Sequence, residues 1–417
     1  MVVGIIVGAS IFVQPSEILR NVPNARGVLL AWAAAGLLTL FGALVCAELS
    51  SVFPRTGGVY VFLHQTISPA CAFLWGWAMF WSMHSGIVAA SAVILARYIA
   101  VFFPMSDAAV RAAAIASIVL LSILNYFGAR QGSVFQTTVT AAKILGIAAM
   151  LALIVAYGSP AARAHTLAPL APISARPLIL AIGAGLFAFG GWHMVTYTAG
   201  ETRHAETTIP RALLLGVVIV TLAYIALNAA YLYLLPLHRA MSSTHIAADA
   251  AAALAGTRGA LAVSALVIVS ALGVLNGVIL AGPRTYLAMA QDGLAFRWLA
   301  AIHPRFHTPY AAIAAQAVWC SVLVATGTYR ALFSRVIYTE WLFFAVMAVG
   351  LMRHRRRASS PPPWRAWGYP VTPVLFIAAS VTVAVMQMTA DPAQAGIGML
   401  LVALGLPVYY FWSHAHH

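Results

Sequence analysis

Long apolar stretches, each near the length of a membrane-crossing helix, recur along the whole chain. The hydrocarbon core of a bilayer is about 30 Å thick, so a helix needs about 20 apolar residues to cross it. Windows of this length predict about twelve spans. They cover residues 2–19, 28–52, 72–101, 109–126, 137–157, 178–198, 212–235, 261–281, 311–326, 333–352, 374–388 and 397–412. We therefore predict an all-α polytopic membrane protein, since helices satisfy their own backbone groups in lipid.

The composition supports a membrane protein and argues against other classes. Hydrophobic residues make up 62% of the chain and charged residues 8%, whereas a soluble domain has about 25% charged residues. The net charge of +14 comes from arginines in many short connections, which set the orientation of a multispanning protein, so we expect no nucleic-acid binding. No enzyme or cofactor motif occurs, and we predict no cofactor and no metal. The cysteines lie in apolar runs, so nothing indicates a tethered partner subunit.

Two of the apolar stretches carry glycines that would interrupt a helix at mid-depth. One is residues 4–12 (GIIVGASIF), and the other is residues 182–201, which contain the pair Gly190-Gly191. Glycine inside a helix costs about 1 kcal/mol relative to alanine, and broken backbone is tolerated in hydrocarbon only where it lines a cavity or is buried in protein. Interrupted helices in corresponding places of two halves are typical of a transporter's central site.

The two breaks offer opposite kinds of backbone group. A break at Gly8, Ala9 and Ser10 exposes N–H groups at the start of a half-helix, and these suit a carboxylate. A break between Phe187 and Gly190 exposes carbonyl groups, which suit an ammonium group. Together they predict a site for a zwitterion, with Phe187 as a lid over it. Two alternatives stay open: the glycines only permit close helix packing, and Phe187 faces lipid.

Lys143 is the only lysine in the chain, and it lies inside the fifth predicted span. A cation there costs at least about 2.5–3.5 kcal/mol on insertion scales, and a lysine releases its proton more readily than an arginine when it is buried. We interpret Lys143 as a fixed ammonium beside the broken helix or as a proton carrier. The alternative is a side chain that snorkels to the membrane interface.

Four other polar residues in the spans are candidates for chemistry. We predict that Glu340 takes part either in proton coupling or in a buried polar link, since acids inside the membrane are functional by default. For Glu48, near Pro54, we expect an ion pair or a cap. His193 follows the second break and is expected to line the site, and Ser270 is expected to give a hydroxyl to the ion pocket of Lys143, unless it bonds its own backbone.

The arginine-rich run at 353–357 indicates the cytoplasmic side of the membrane. An even number of spans then places both termini in the cytoplasm, and we expect the protein in the inner (cell) membrane as a multi-pass protein. Only three residues precede Gly4, so we expect the first span to be truncated at its start.

Several motifs, taken in order along the chain, resemble those of the amino acid–polyamine–organocation permeases and, among these, of the branch similar to the L-type amino acid transporters. They are residues 8–12 (GASIF), 47–49 (AEL), 53–58 (FPRTGG), 187–192 (FAFGGW), 209–212 (IPRA), 283–284 (PR), 289–293 (MAQDG) and 303–304 (HP) with 308–309 (TP). The resemblance runs over nearly the whole chain, and the ordered set is more specific than any one motif.

This resemblance implies the leucine-transporter fold, a 5+5 inverted repeat followed by two C-terminal helices. Residues 1–417 would form one transmembrane permease domain, with the first repeat at about 1–157, the second at about 177–352 and the extra helices at about 369–413. The implied site residues are Gly8, Ala9 and Ser10 for the substrate carboxylate, Ile6, Phe187 and Gly190 for its amine, Phe187 as the gate, and Lys143 in the place of a sodium ion.

Two departures from the family pattern bear on the substrate. Ser10 replaces a family glycine, which narrows the backbone cleft, and His193 stands where L-type relatives often have asparagine. We predict a secondary carrier of a small-molecule amino acid that acts by alternating access, as an exchanger or a proton symporter. The alternatives are a carrier of polyamines or other amine derivatives, and a membrane sensor or inactive paralogue that transports nothing.

Overall fold

The computed structural model describes residues 1–157, 173–327 and 329–415, and the chain over these ranges is helical without a β-strand. Its α-helices are α1 Val2–Ile6, α2 Gln14–Asn21, α3 Ala25–Val52, α4 Val59–Thr66, α5 Pro69–Ala78, α6 His84–Ile99, α7 Asp107–Tyr126, α8 Ala129–Tyr157, α9 Ala175–Ala188, α10 Ala205–Leu234, α11 Leu237–Ser242, α12 Ile246–Gln291, α13 Tyr310–Thr326, α14 Tyr329–Arg357, α15 Val371–Ala390, α16 Pro392–Ala403 and α17 Gly405–Ala415. The predicted all-α class is confirmed.

Nine helices in the described ranges are long and apolar enough to cross a membrane. Three of the predicted spans, 2–19, 311–326 and 333–352, fall outside that set. The first is broken into short pieces, and α13 is shorter than the rest. Helix α14 continues past its predicted span into a basic last turn with Arg355, Arg356 and Arg357. The protein is thus a multi-pass membrane protein, as the hydropathy of the sequence predicts.

Several spans begin at a side chain that satisfies the first free N–H groups of the helix. Asn24 accepts a hydrogen bond from the Gly27 N–H at 2.6 Å, and Ser68 and Ser106 accept from Cys71 and Ala109. Such caps matter because the first turn of a helix has no internal partners for its donors. They fix where α3, α5 and α7 start.

Two helices differ from the regular spans predicted for them. The third span runs from Pro69 to Ile99, but residues Met79–Met83 are wound as a π-helix between α5 and α6. Helix α12 is far longer than the predicted span 261–281, and a kink at Ala255 and Gly256 divides it. Gly256 has a φ of 60°, a left-handed conformation that glycine adopts without strain.

The broken first span lies at the centre of the bundle, where it packs against α8, α10, α12 and the segment after α9. Helix α3 packs along α10, and α14 packs along α15. An aromatic group is formed by Trp32 of α3, Tyr224 of α10 and Phe189 at the end of α9, with ring centroids 5.1–6.3 Å apart. This packing holds the two predicted breaks beside each other.

The division into two inverted repeats stays a prediction. The loop predicted between them, residues 158–176, lies up to residue 172 outside the described residues. The breaks nevertheless fall in the first span and in the sixth, the corresponding members of the two predicted repeats.

Candidate functional site

The first break is an extended linker between two short helical pieces. Helix α1 ends at Ile6, Gly8 is extended with φ −112° and ψ −168°, and a 3₁₀ turn at Ala9–Phe12 leads into α2. A β-carbon on Gly8 would lie 2.8 Å from the Val274 Cγ2 atom of α12, which is closer than real contacts allow. The glycine therefore lets the linker approach α12.

The second break follows α9 and depends on one glycine of the predicted pair. Gly191 has a φ of 89°, a left-handed conformation that strains other residues, and the 3₁₀ segment Trp192–Glu201 follows it. A β-carbon on Gly191 would lie 2.5 Å from Ile5 Cγ2. The two breaks thus lie against each other. Close packing accounts for Gly8, but it does not account for the backbone conformation of Gly191.

Tyr224 of α10 links the two breaks directly. Its hydroxyl oxygen lies 2.8 Å from the Ile6 carbonyl oxygen and 3.0 Å from the Ala188 carbonyl oxygen. The hydroxyl therefore partners backbone groups that the breaks leave without helical donors. The sequence analysis missed this residue, because a tyrosine in an apolar span gives no signal of its own.

A small cavity lies where the two breaks meet. The centre of a water molecule can occupy about 40 Å³ of it. Five predicted site residues line it, together with Glu340; the five are Ile6, Gly8, Ser10, Phe187 and Gly190. The rest of the wall is largely apolar, and it comes from α1, α6, α9, the segment around Trp192, α12 and α14. The structure therefore brings most of the predicted binding residues to one enclosed space, although binding itself stays a prediction.

Lys143 of α8 is fully buried beside the first break rather than extended to the interface. Its ammonium group donates to the carbonyl oxygens of Gly4 at 2.8 Å, Val7 at 2.7 Å and Ser270 at 3.3 Å. A charged donor among carbonyl groups is the arrangement that a bound cation would have. The snorkelling alternative does not fit this geometry.

Ser270 contacts Lys143 through a different atom from the hydroxyl that we expected. Ser270 does contact Lys143, but through its backbone carbonyl. The hydroxyl oxygen is buried and has no hydrogen-bond partner within the described part of the chain. The sequence identifies a residue on the facing turn of α12, but it does not tell which of the oxygens of that residue faces the cation.

Glu340 and His193 take different positions from each other. Glu340 of α14 lines the cavity and is 7% exposed. His193, by contrast, is not among the lining residues, so the expectation that it lines the site is corrected. It lies one layer deeper, with its Nε2 atom 3.8 Å from the Glu340 Oε1 atom, because Gly191 turns the chain before it.

Three ion pairs close one end of the bundle, which we call the basic end because it carries the run 353–357. The pairs are Arg284 with Glu201 at 2.7 Å, Arg55 with Asp292 at 3.1 Å, and Arg355 with Glu48. The Arg355–Glu48 pair confirms the expected ion pair of Glu48. The sequence did not reveal these pairings, since residues far apart in the chain form each of them.

Two groups at the basic end have pKa values that keep these contacts in place. The Glu48 carboxylate accepts from Arg355 and raises the pKa of the guanidinium above its ordinary value. Burial, and after it the charge of Asp292, raises the pKa of Tyr60. The Tyr60 hydroxyl therefore stays protonated and donates to Asp292 at 3.1 Å.

A cavity between two broken spans, next to a fixed cation, is typical of secondary transporters and not of enzymes. The family model for amino acid permeases matches residues 1–409. The chain belongs to this amino acid permease family, which confirms the resemblance to the amino acid–polyamine–organocation permeases. It is accordingly a membrane protein of amino acid transport and not an enzyme.

The proteins that are similar to this chain are named for different amino acids. The chain is 31% identical to the serine/threonine exchanger SteT of Bacillus subtilis (strain 168), over 98% of this chain and 94% of that protein. It is 27% identical to the human cystine/glutamate transporter, over 99% of this chain and 83% of the relative. The human large neutral amino acids transporter small subunit 2 is also 27% identical, over 99% of this chain and 79% of its own length.

Proposed function

We propose that the chain is a secondary transporter that carries a zwitterionic amino acid through the cavity between its two broken spans by alternating access. The observation that carries this proposal is the meeting of both breaks at one enclosed cavity, lined by Gly8, Ser10, Phe187 and Gly190. A transporter needs a site that it can occlude, and two interrupted helices provide one.

The substrate's two backbone charges bind to the two breaks. Its carboxylate accepts hydrogen bonds from the N–H groups of Gly8, Ala9 and Ser10 at the start of the second half of the first span. Its ammonium group donates to the carbonyl oxygens of Ile6, Phe187 and Gly190. Ile6 shares its carbonyl with Tyr224, and an oxygen with two lone pairs accepts both donors.

Lys143 removes the need for sodium. Its ammonium group already occupies the carbonyls of Gly4, Val7 and Ser270, so a sodium ion has no place there. Transport is then driven by exchange of one amino acid for another, and a relative that is named as an exchanger supports this choice. Proton symport is the alternative, with Lys143 or Glu340 as the proton carrier.

The cellular setting follows from the charge pattern. The basic end faces the cytoplasm, both termini lie on that side, and the protein is in the inner membrane. The transported amino acid is its small-molecule partner.

The test is uptake of labelled amino acids into proteoliposomes that contain the full chain. Vesicles are loaded with unlabelled amino acids or left empty, with and without an inward proton gradient. We expect uptake only into loaded vesicles and no response to the gradient or to sodium. Gradient-driven uptake into empty vesicles would instead indicate symport, and binding without any uptake would contradict the transporter proposal.

A further inference from the structure

The cavity contains one ionisable side chain among the lining residues that the structure describes. That residue is Glu340. Two other lining side chains, Ser10 and Ser91, carry a hydroxyl group. The backbone at the two breaks accounts for the carboxylate and amine common to all amino acids. Glu340 is therefore left to face the part of a substrate that differs between amino acids.

The carboxyl group of Glu340 borders the cavity on one side and His193 on the other. The His193 Nε2 atom is 3.8 Å from it, which is within ion-pair reach but longer than a hydrogen bond. A carboxyl group inside a membrane protein is energetically costly and marks a functional position by default. An oxygen without a tight partner is available to accept a hydrogen bond from a bound molecule.

His193 is held in a fixed place by aromatic rings. The rings of Trp75, Trp192, Tyr197 and Phe344 surround it, with centroids 4.8–6.1 Å from that of the imidazole. The side chain is fully buried, and both of its ring nitrogens lack a hydrogen-bond partner within the described residues. Glu340 is the acidic group within its reach.

We propose that Glu340 selects the substrate by accepting a hydrogen bond from a donor on a short amino acid side chain, and that His193 positions Glu340 for this contact. The proposal rests on the proposed transport function and deepens it by naming the substrate class. That class comprises small amino acids whose side chain ends in a hydroxyl or an ammonium group. The cavity is small, with about 40 Å³ open to water centres, and this size favours short side chains.

The experiment compares exchange of serine, alanine and 2,3-diaminopropionate by wild-type protein and variants in proteoliposomes. Serine and alanine differ only in the donor, so their kcat/KM ratio isolates the selector. We expect the wild type to prefer at least one donor-bearing substrate over alanine. In Glu340→Leu, which keeps about the same size but removes the acceptor, the ratio of serine to alanine kcat/KM falls about tenfold, because a lost hydrogen bond in an enclosed site has this magnitude.

Three further variants separate a hydroxyl donor from an ammonium donor and test the positioning role of His193. Glu340→Gln keeps one acceptor oxygen without a charge, so it retains a preference for serine but loses one for 2,3-diaminopropionate. His193→Phe keeps an aromatic ring among its neighbours and lowers the donor preference. His193→Gln, which returns a nitrogen donor, restores it. Glu17→Gln is the matched control, since Glu17 pairs with Arg20 at the surface and is not among the residues that line the cavity.

The outcomes distinguish this proposal from the transport function. If the wild type exchanges amino acids but Glu340→Leu lowers serine and alanine exchange equally, the selector is refuted while transport stands. A wild-type preference for alanine over both donor-bearing substrates would also overturn the selector. If the wild type exchanges no amino acid at all, the proposed function itself fails.

Discussion

At the scale of single residues, Lys143 is fully buried, and three carbonyl oxygens hold its ammonium group. It ties the first span to α12 by donating to carbonyls on both. The helix has room for it only because Gly273 lacks a side chain, since a β-carbon there would lie 2.9 Å from the lysine Nζ atom. One side chain therefore connects the position of the first break to that of α12.

Replacing Lys143 with alanine is expected to lower exchange at least about tenfold. The substitution removes a charged donor from the carbonyls of Gly4, Val7 and Ser270, and one hydrogen bond to a charged group is worth about 1.5–3 kcal/mol. The measurement is initial exchange rate with purified, folded protein. Thr138→Ala, on the exposed face of the same helix, is the control. An unchanged rate in Lys143→Ala would show that the cation is dispensable.

Tyr224→Phe tests whether the hydroxyl between the two breaks supports binding. The ring and its contacts with Trp32 and Phe189 remain, so the variant is expected to fold. Loss of the contacts to Ile6 and Ala188 should weaken substrate binding about three- to tenfold, because a neutral hydrogen bond contributes about 0.5–1.5 kcal/mol. Titration calorimetry gives the Kd, and an unchanged Kd would contradict the role of the hydroxyl.

The sequence exposes residues that are unusual for their surroundings. Lys143 stands out as a lone lysine, and Glu340 as an acid inside a span. It does not show which atom of a residue makes a contact. The sequence predicts the hydroxyl of Ser270 near Lys143, whereas its backbone carbonyl makes the contact. It also does not show the depth of a side chain after a break, so His193 was expected at the cavity wall.

At the scale of elements, the two interrupted spans determine the geometry of the site. Each interruption needs a glycine for its own reason: Gly8 because of the approach of Val274, and Gly191 because of its positive φ and the approach of Ile5. Neither span can close into a regular helix while the two remain in contact. The backbone groups at the breaks therefore stay available for a ligand.

We expect Gly191→Ala to destabilise the protein by about 1–2 kcal/mol or more, because an alanine at this φ is strained and its methyl group would overlap Ile5. Substrate binding should weaken as well. Gly396→Ala in α16 is the matched control, since a β-carbon there meets nothing within 4 Å. The measurement is the thermal midpoint of unfolding in detergent. Equal midpoints for the two variants would refute the argument.

Hydropathy predicts the spans well, since burial in lipid demands apolar helices of fixed length. The ends of helices are predicted less well, because a helix continues beyond the membrane wherever its polar residues remain favourable. Helix α12 extends past Ala281 through Pro283 to Gln291, and the residues of this extension up to Ala290 are buried in the protein. The π-helix at Met79–Met83 gave no signal in the sequence.

At the scale of the whole molecule, the ion pairs at the basic end join distant parts of the chain. Arg284 of α12 contacts Glu201, which follows the second break, and Arg55 contacts Asp292 at the end of α12. Alternating access requires such contacts to break when this end opens. We therefore expect them to contribute to the balance between closed and open states.

Asp292→Asn is expected to favour opening of the basic end by about two- to fivefold, because a partly exposed ion pair contributes about 0.2–1 kcal/mol. The variant loses the charge that faces Arg55 and weakens the contact with Tyr60. The measurement is labelling of a cysteine placed by Ser91→Cys in the cavity, with an impermeant thiol reagent added at the basic end. Glu17→Gln at the opposite end should leave the labelling rate unchanged; no change in Asp292→Asn would contradict the role of the pair.

The all-α class was predictable at this scale because apolar stretches of about 20 residues predict membrane-spanning helices. The pairing of distant residues was not, since it depends on how the spans pack. Glu48 illustrates the limit. The sequence predicts an ion pair or a cap for this residue, but it does not show that the partner is Arg355 at the end of α14. The inverted repeat remains a prediction from the family resemblance.

The central claim is that the two breaks together hold a zwitterion, and binding of matched analogues tests it most directly. The Kd of serine is compared with that of ethanolamine, which lacks the carboxylate, and of glycerate, which lacks the amine, for the wild type in detergent. The account predicts that serine binds at least about tenfold more tightly than either, because each lost charge contact costs about 1.5–3 kcal/mol. Equal binding of serine and either analogue would contradict it.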